Sequence, residues 1–281
     1  MTTYAGACYA VTEAGGAAQY GSTLTRSNAA HKRLFLYPNQ STGYGSLVVE
    51  PGDMRDLSRM TWAGFLNGSN KGIIAGACAL LGSPDFSERL VDSIATTTIA
   101  YGGVGAGGYS ASGCFGTRLR LSGRSNQLVR FSLEMVGKAT TSVSVSSPGA
   151  GDSVDFFPLE LGTGGVNILG FDIDYRTGFF ARFAPDGSQG YTAINESLGQ
   201  RQLQATLFLA QNSDAMTQFT SYAGVGQAAH TLSLAGYDGS GCVIELRGYY
   251  TDWQAGNVGG IMVARAVLTG VSVSGGMISM N

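Results

Sequence analysis

The chain has 281 residues, a formal net charge of −2, and only 13% charged residues beside 44% hydrophobic ones. An acidic balance without a basic run excludes a tight nucleic-acid binder, which neutralises phosphates with Lys and Arg. The longest apolar run, GIIAGACALLG from Gly72 to Gly82, is far short of the roughly 20 residues that span a bilayer, so no membrane partner is expected.

From the beginning, MTTYAGACYAVTEAGGAAQYG has no Lys or Arg before Arg26 and no continuous apolar core, so it does not read as a secretory signal. Residues 1–30 are small and polar, and they read as an extended arm, ordered only where a neighbour holds it. Lys32 to Pro38, KRLFLYP, opens the first strand, and Pro38 closes it. Between Gly52 and Leu81 lies the best helical material: DMRDLSRMTW, where Met54, Leu57 and Met60 are spaced as one apolar helical stripe, then the small-residue run NKGIIAGACALLG; a short helix is expected here, with Gly64 and Gly68 weakening the stripe's continuation.

The β-branched run ending at Tyr101 then leads into AYGGVGAGGYSASG. Gly103, Gly105 and Gly108 spell a literal G-x-G-x-x-G there, but a dinucleotide site also needs a helix opening on the glycines and an acid about 20 residues on. YSASGCFG is a poor helix start, and Gly123 and Arg124 stand where the acid belongs. The stretch reads as a loop, with no cofactor.

TRLRLSGRSNQLVRFSLEMV carries the clearest pattern. Leu119, Leu121, Val129, Phe131, Leu133 and Met135 alternate with Arg118, Arg120, Arg130 and Glu134. Period-two alternation sends one set to a dry face and the other to a wet one, as in an antiparallel hairpin. Lys138 to Asp155 is a Ser-rich loop. GFDIDYR repeats the alternation, with Phe171, Ile173 and Tyr175 against Asp172, Asp174 and Arg176; a turn follows at Pro185 to Gly187. QRQLQATLFLAQ sets Leu203, Ala205, Leu207 and Leu209 against Gln202 and Gln204. Met216, Phe219 and Tyr222 predict a second helix with Asp214 near its start, and strands recur at AHTLSLAGY, CVIELRGYY and GIMVARAVLTGVSVSG. The fold class expected is mainly β (α+β): an antiparallel sandwich or barrel, one or two short flanking helices, an N-terminal arm and long loops.

Catalytic chemistry is missing from the pattern. His31 and His230 are the two histidines; neither belongs to an HExxH, and no G-x-S-x-G elbow is present. Cys8, Cys78, Cys114 and Cys242 form no CxxC pair, which fits buried free thiols in a reducing compartment rather than zinc or disulfides. Asp172 and Asp174 make a D-x-D without the rest of an oxygen-ligand loop, so a solvated strand face is the simpler reading than a metal site. No enzyme is expected. Few charges beside an ordinary apolar content fit an exterior covered by neighbouring copies, because interface cores are depleted in charge.

The order of these segments resembles the tail tube proteins of long-tailed bacteriophages, whose fold is shared with the type VI secretion tube protein. The resemblance runs from about Lys32 to Gly275. It rests on the YP strand followed by an insertion, KGIIAGACALLG, GTRLRLSGRSNQLVRFSLEMVGK, the Ser-rich loop, the strands from GFDIDY to QRQLQATLFLAQ, a short helix and closing strands. It implies a β-sandwich with a flanking helix, whose hairpins join those of other subunits into one barrel, in stacked homo-hexameric rings.

Carried over, Thr117 to Val136, Gly170 to Arg176 and Gln202 to Leu209 are barrel candidates. Arg118, Arg120, Arg130, Glu134, Asp172, Asp174, Gln202 and Gln204 are lumen-facing candidates. Leu119, Leu121, Val129, Phe131, Leu133, Met135, Phe171, Ile173, Leu203 and Leu207 face core or interface. Residues 1–30 are an inter-ring arm, 31–281 the tube-like domain with a possible inserted subdomain at about 41–97, and Lys138 to Asp155 a ring-stacking loop. Implied partners are further copies of the chain, a tape measure protein and a tail terminator, with DNA only in passage. The implied location is the virion tail, assembled in the bacterial host cytoplasm. A capsid decoration, a receptor-binding fibre domain or a glycine-rich ligand-binding module are the alternatives.

Overall fold

The computed structural model describes residues 9–13, 23–28, 33–36, 48–51, 58–80, 96–103, 108–138, 140–143, 168–182, 193–195, 201–235, 241–258, 260–271 and 277–281. In chain order these form β1 (Tyr9–Glu13), β2 (Thr23–Asn28), β3 (Arg33–Leu36), β4 (Val48–Pro51), β5 (Ser58–Phe65) and helix α1 (Gly68–Ala77). Then come β6 (Thr97–Gly103), β7 (Gly108–Arg124), β8 (Arg130–Gly137), β9 (Thr140–Val143), β10 (Ile168–Arg176), β11 (Phe180–Arg182), β12 (Ala193–Asn195) and β13 (Gln202–Ala210). Helix α2 (Ser213–Ala223) precedes β14 (Gln227–Ala235), β15 (Gly241–Val258), β16 (Ile261–Gly270) and β17 (Ile278–Met280). The fold is mostly antiparallel sheet with two short helices, as the alternation predicts.

One sheet of 13 strands dominates, in the order β14-β15-β16-β13-β10-β7-β8-β5-β2, with β1, β6, β9 and β17 attached beside that path. Two long strands make the side branches possible. The first part of β7 pairs with β6 and β9, and from Phe115 onward it pairs with β8 and β10. Likewise, β15 pairs with β14 and β17 over its first half and with β16 over its second. Each handover carries an irregularity: between Gly116 and Arg118 in the β7–β8 ladder, and between Tyr250 and Asp252 in the β15–β16 ladder. Bulges of this kind bend a strand and raise its local twist. Gly113 adds to the bend of β7 through a positive φ of 60°.

Helix α1 packs on β6, β7, β15 and β17. Asn67 caps it: its side chain accepts the Asn70 N–H at 2.8 Å, while Asn70 Oδ1 accepts the Asn67 N–H at 2.9 Å. Ile73, Ile74, Ala75, Ala77 and Cys78 are buried, while Gly72 and Gly76 mark an open side on which an added Cβ would meet nothing within 4 Å. Small side chains permit close packing against the sheet. Gly116 faces the helix so tightly that a Cβ there would lie 2.6 Å from Cys78 Sγ.

The helix expected in DMRDLSRMTW is a correction. Ser58–Phe65 is strand β5, paired residue for residue with β8 from Ser58↔Gly137 to Phe65↔Arg130. Ser58, Met60 and Trp62 are buried and alternate with Arg59, Thr61 and Ala63, so spacing two decides the element. Met54 and Leu57 lie outside the described residues. The helix of this region comes later, at Gly68–Ala77.

The Ser-rich loop is also corrected at its start, where Thr140–Val143 forms β9 along β7; residues 144–155 lie outside the described residues. Within the arm, Tyr9–Glu13 pairs with β6 and Thr23–Asn28 with β5 of the same chain. The glycine-rich stretch continues β6 to Gly103 and resumes as β7 at Gly108; residues 104–107 lie outside the described residues, as do Pro38, the turn at 185–187, His31 and Cys8. Asn212, by accepting the Ala215 N–H at 3.0 Å, caps the second predicted helix, with Asp214 in its first turn. No helix among the described residues is long and apolar enough to cross a membrane.

Candidate functional site

The wet face of β8, β7, β10, β13 and β16 is where the chain's charged chemistry collects. Antiparallel registers set it in rows across the strands. Glu134, Arg118, Arg176 and Gln202 form one row; Ser132, Arg120, Asp174, Gln204 and Thr269 form the next. Arg130, Ser122, Asp172 and Thr206 form a third, and beyond it Arg124 sits opposite Gly170. All eight lumen-facing candidates lie in these rows and none is buried, while all ten core candidates are buried at 3% exposure or less. Side chains therefore sort by parity across four strands, β8, β7, β10 and β13.

Within the rows, most carboxylates are already answered by arginine. Arg118 grips Asp174 with both arms of its guanidinium, Nε donating to Oδ1 at 2.8 Å and a terminal nitrogen to Oδ2. It also stands 3.8 Å from Glu134. That hydrogen bond holds the Asp174 carboxyl below its ordinary range and, reciprocally, raises Arg118. Arg124 holds Asp172 at 2.6 and 3.1 Å and lies over the Phe208 ring at 4.5 Å. At the far side, Arg265 approaches Asp252 at 3.3 Å. Asp172 and Asp174 are thus arginine ligands. A cation would have to displace both partners, and among the described residues no group of three or more His, Cys, Asp or Glu is poised to hold a metal.

Four other arginines are exposed and held more loosely: Arg59, Arg120, Arg130 and Arg176. Arg120 comes only to 3.7 Å of the Asp174 oxygen that Arg118 already holds, and Arg130 lies 5.5 Å from the Phe65 ring centre. Two depressions mark the ends of the face. One of about 240 Å³ includes Ser122, Arg124, Gln127, Arg130 and Asp172; the other, about 430 Å³, includes Arg176, Arg201, Gln202, Gln204 and Thr269.

His230 belongs to the core. It is 3% exposed on β14, its Nε2 meets the Tyr250 hydroxyl, and that hydroxyl donates to Gln218 Oε1 on α2 at 3.3 Å. Burial pushes its pKa down to about 4, so the ring is neutral at pH 7. Cys78, Cys114 and Cys242 are buried free thiols, and burial pushes Cys114 up to about 12 and Cys242 to about 11, so neither is a ready nucleophile.

Two features escaped the sequence reading. The first is the Arg124 clamp, although Arg124 continues the even-numbered parity of Arg118 and Arg120. The second is the sheet's uncovered end. β14 has one strand partner among the described residues, β15, and its outward residues Gln227, Ala229, Thr231, Ser233 and Ala235 carry no charge. Beside it, α2 packs Tyr222 on Trp253 but leaves Met216 50% and Phe219 38% exposed, and exposed Val225 takes a φ of +53° in the linker to β14. No family model matches the chain, and no curated protein matches it.

Proposed function

We propose that the chain is a structural subunit that assembles with copies of itself into the stacked hexameric rings of a phage tail tube, the wet face lining a lumen through which DNA passes. The observation that carries this reading is the end of the sheet, where β14 has β15 as its one strand partner among the described residues. Natural proteins protect a free edge with charge, proline or a bulge, because bare N–H and C=O groups recruit another strand. β14 offers nine residues with none of these on its outward side, beside exposed Met216 and Phe219.

β2 ends the other side of the same path. A copy joined at one end leaves its own far end free for the next, which is the head-to-tail arrangement that closes into rings. The resemblance to tail tube proteins supplies the hexameric count, the tape measure and terminator partners, and the virion location. Residues sorted by parity over four adjacent strands suit a wall that is dry on one side and wet on the other.

Negative-stain electron microscopy of the purified protein tests this. Rings or tubes of constant width are expected; a monodisperse monomer at high protein concentration refutes it. Three-fold particles would instead favour the fibre reading.

A further inference from the structure

We propose that the wet face makes direct contact with a nucleic-acid phosphate backbone along a diagonal stripe of three arginines, Arg130, Arg120 and Arg176. This deepens the tube reading, and rests on it only for how nucleic acid reaches the face.

The charge distribution comes first. On β5, β8, β7, β10, β13, β16 and the second half of β15 the wet face carries seven arginines (59, 118, 120, 124, 130, 176 and 265) against four carboxylates (Glu134, Asp172, Asp174 and Asp252). The excess of three lies in a chain whose total is −2, so positive charge is concentrated here. A basic face on an acidic protein is the electrostatic footprint expected of a polyanion site. Every cation on it is arginine, whose planar fork matches phosphate oxygens.

Placement narrows the claim. The carboxylates are engaged first by Arg118, Arg124 and Arg265; Arg120 adds a longer 3.7 Å approach to Asp174, whose charge Arg176 also feels, so four arginines (59, 120, 130 and 176) carry the excess. Ser122 pairs with Arg130, Arg120 with Ser132 and with Asp174, and Arg118 with Arg176. Each step from Arg130 to Arg120 to Arg176 therefore moves one strand across and two residues along. With strands about 4.8 Å apart and about 3.3 Å per residue, neighbouring Cα atoms stand roughly 8 Å apart. The stripe runs from the 240 Å³ depression, which holds Arg130 beside the Arg124–Asp172 pair, to the 430 Å³ one, which holds Arg176 beside Asp174, already gripped by Arg118, and Arg201, Gln202, Gln204 and Thr269. These last three supply neutral donors to an oxyanion. No acid of the described residues reaches Arg130 or Arg176 within ion-pair distance.

Three contacts make a weak, sequence-independent and strongly salt-sensitive grip, compatible with passage. Fluorescence anisotropy of the whole protein tests it, with labelled oligodeoxythymidylate of about 20 nucleotides titrated across salt. A slope of log K against log salt of about −2 is expected for three contacts on a single strand. The triple variant Arg120→Gln, Arg130→Gln, Arg176→Gln should bring that slope near zero and weaken binding at least about tenfold at low salt. Lys71→Gln, which removes one positive charge on α1, should leave the slope unchanged.

Circular dichroism confirms folding of each variant. An unchanged slope in the folded triple variant overturns the stripe. So does polyglutamate binding with the same slope, or inorganic phosphate competing as well per phosphate as the oligonucleotide, since neither needs a phosphodiester chain. Micrographs of the same samples separate the two proposals: oligonucleotide binding without rings sinks the tube alone, and rings without salt-dependent binding sink the stripe alone.

Discussion

Substituting alanine for Gly116 tests the closeness of α1 to the sheet. The added methyl would lie 2.6 Å from Cys78 Sγ, 3.0 Å from Leu133 Cδ1 and 3.2 Å from the Ala77 carbonyl oxygen. Cys78 and Leu133 are both fully buried, and the oxygen belongs to helix backbone, so little of the crowding can relax. Overpacking of this kind costs about 1–3 kcal/mol. Gly116 has no positive φ, so no backbone strain adds to this, and the stiffer unfolded chain returns about 0.4–1 kcal/mol.

A net loss of about 1–2 kcal/mol corresponds to a fall in Tm of roughly 2–8 °C for a chain of this size. Differential scanning calorimetry on Gly116→Ala, Cys78→Ala and the double variant makes a thermodynamic cycle. Removing Sγ opens the space the methyl needs, so the double variant should be more stable than the summed single losses predict, by more than about 0.5 kcal/mol. A Gly116→Ala protein that melts with the parent, or a cycle that is additive, would show that the helix does not sit against β7 as described.

Three further outcomes are expected. His230 binds its proton more weakly folded than unfolded, so stability should fall as pH drops from about 6.5 to about 4, by up to roughly 3 kcal/mol; urea titrations should show that decline flattened in His230→Gln. Asp174 is held low by Arg118, so its contribution is present above the ordinary carboxyl range and disappears as pH falls through the depressed value; with a side chain 37% exposed, Asp174→Asn should cost no more than about 1 kcal/mol at pH 7 and make acid unfolding shallower. A lysine placed on β14 by Thr231→Lys should reduce assembly seen by sedimentation velocity while leaving Tm within about 2 °C, because Thr231 is exposed and its cross-strand neighbour Glu245 is an acid that accommodates the new charge.

The strands were legible wherever one face is buried and the other is wet. Leu119, Leu121, Phe131, Leu133, Phe171 and Ile173 alternate strictly because a one-residue slip would turn every one of them outward. β5 misled because Met54, Leu57 and Met60 stand three apart in the chain, while the constraint that decides the element is the ladder to β8, whose partners lie 65 to 79 residues away. α1 lies in the small-residue run NKGIIAGACALLG, the second part of the expected helical stretch, but its bounds were harder to read. Its open side carries Gly72 and Gly76 rather than a polar stripe, and glycines argue against a helix locally; the paired Asn67 and Asn70 were the available signal for its start.

Of the candidate site, parity predicted which residues share a face, but not which partners they meet. Arg118 lies directly opposite Arg176 and yet finds Asp174, because the diagonal neighbour depends on register and on bends that only the assembled sheet defines. The uncharged outward side of β14 was in plain view as AHTLSLA. Its meaning depended on knowing that it stands last in the path.

The bent strands β7 and β15 have a mechanical consequence. Each is a shared girder, hydrogen-bonded to one set of neighbours before its irregularity and to another set after it, and α1 packs on both. Load or heat applied to either wing is passed through the same two backbones to the other. The two wings should therefore melt together, with calorimetric and van't Hoff enthalpies in agreement, and the slowest-exchanging amides should gather where β7 crosses beneath α1.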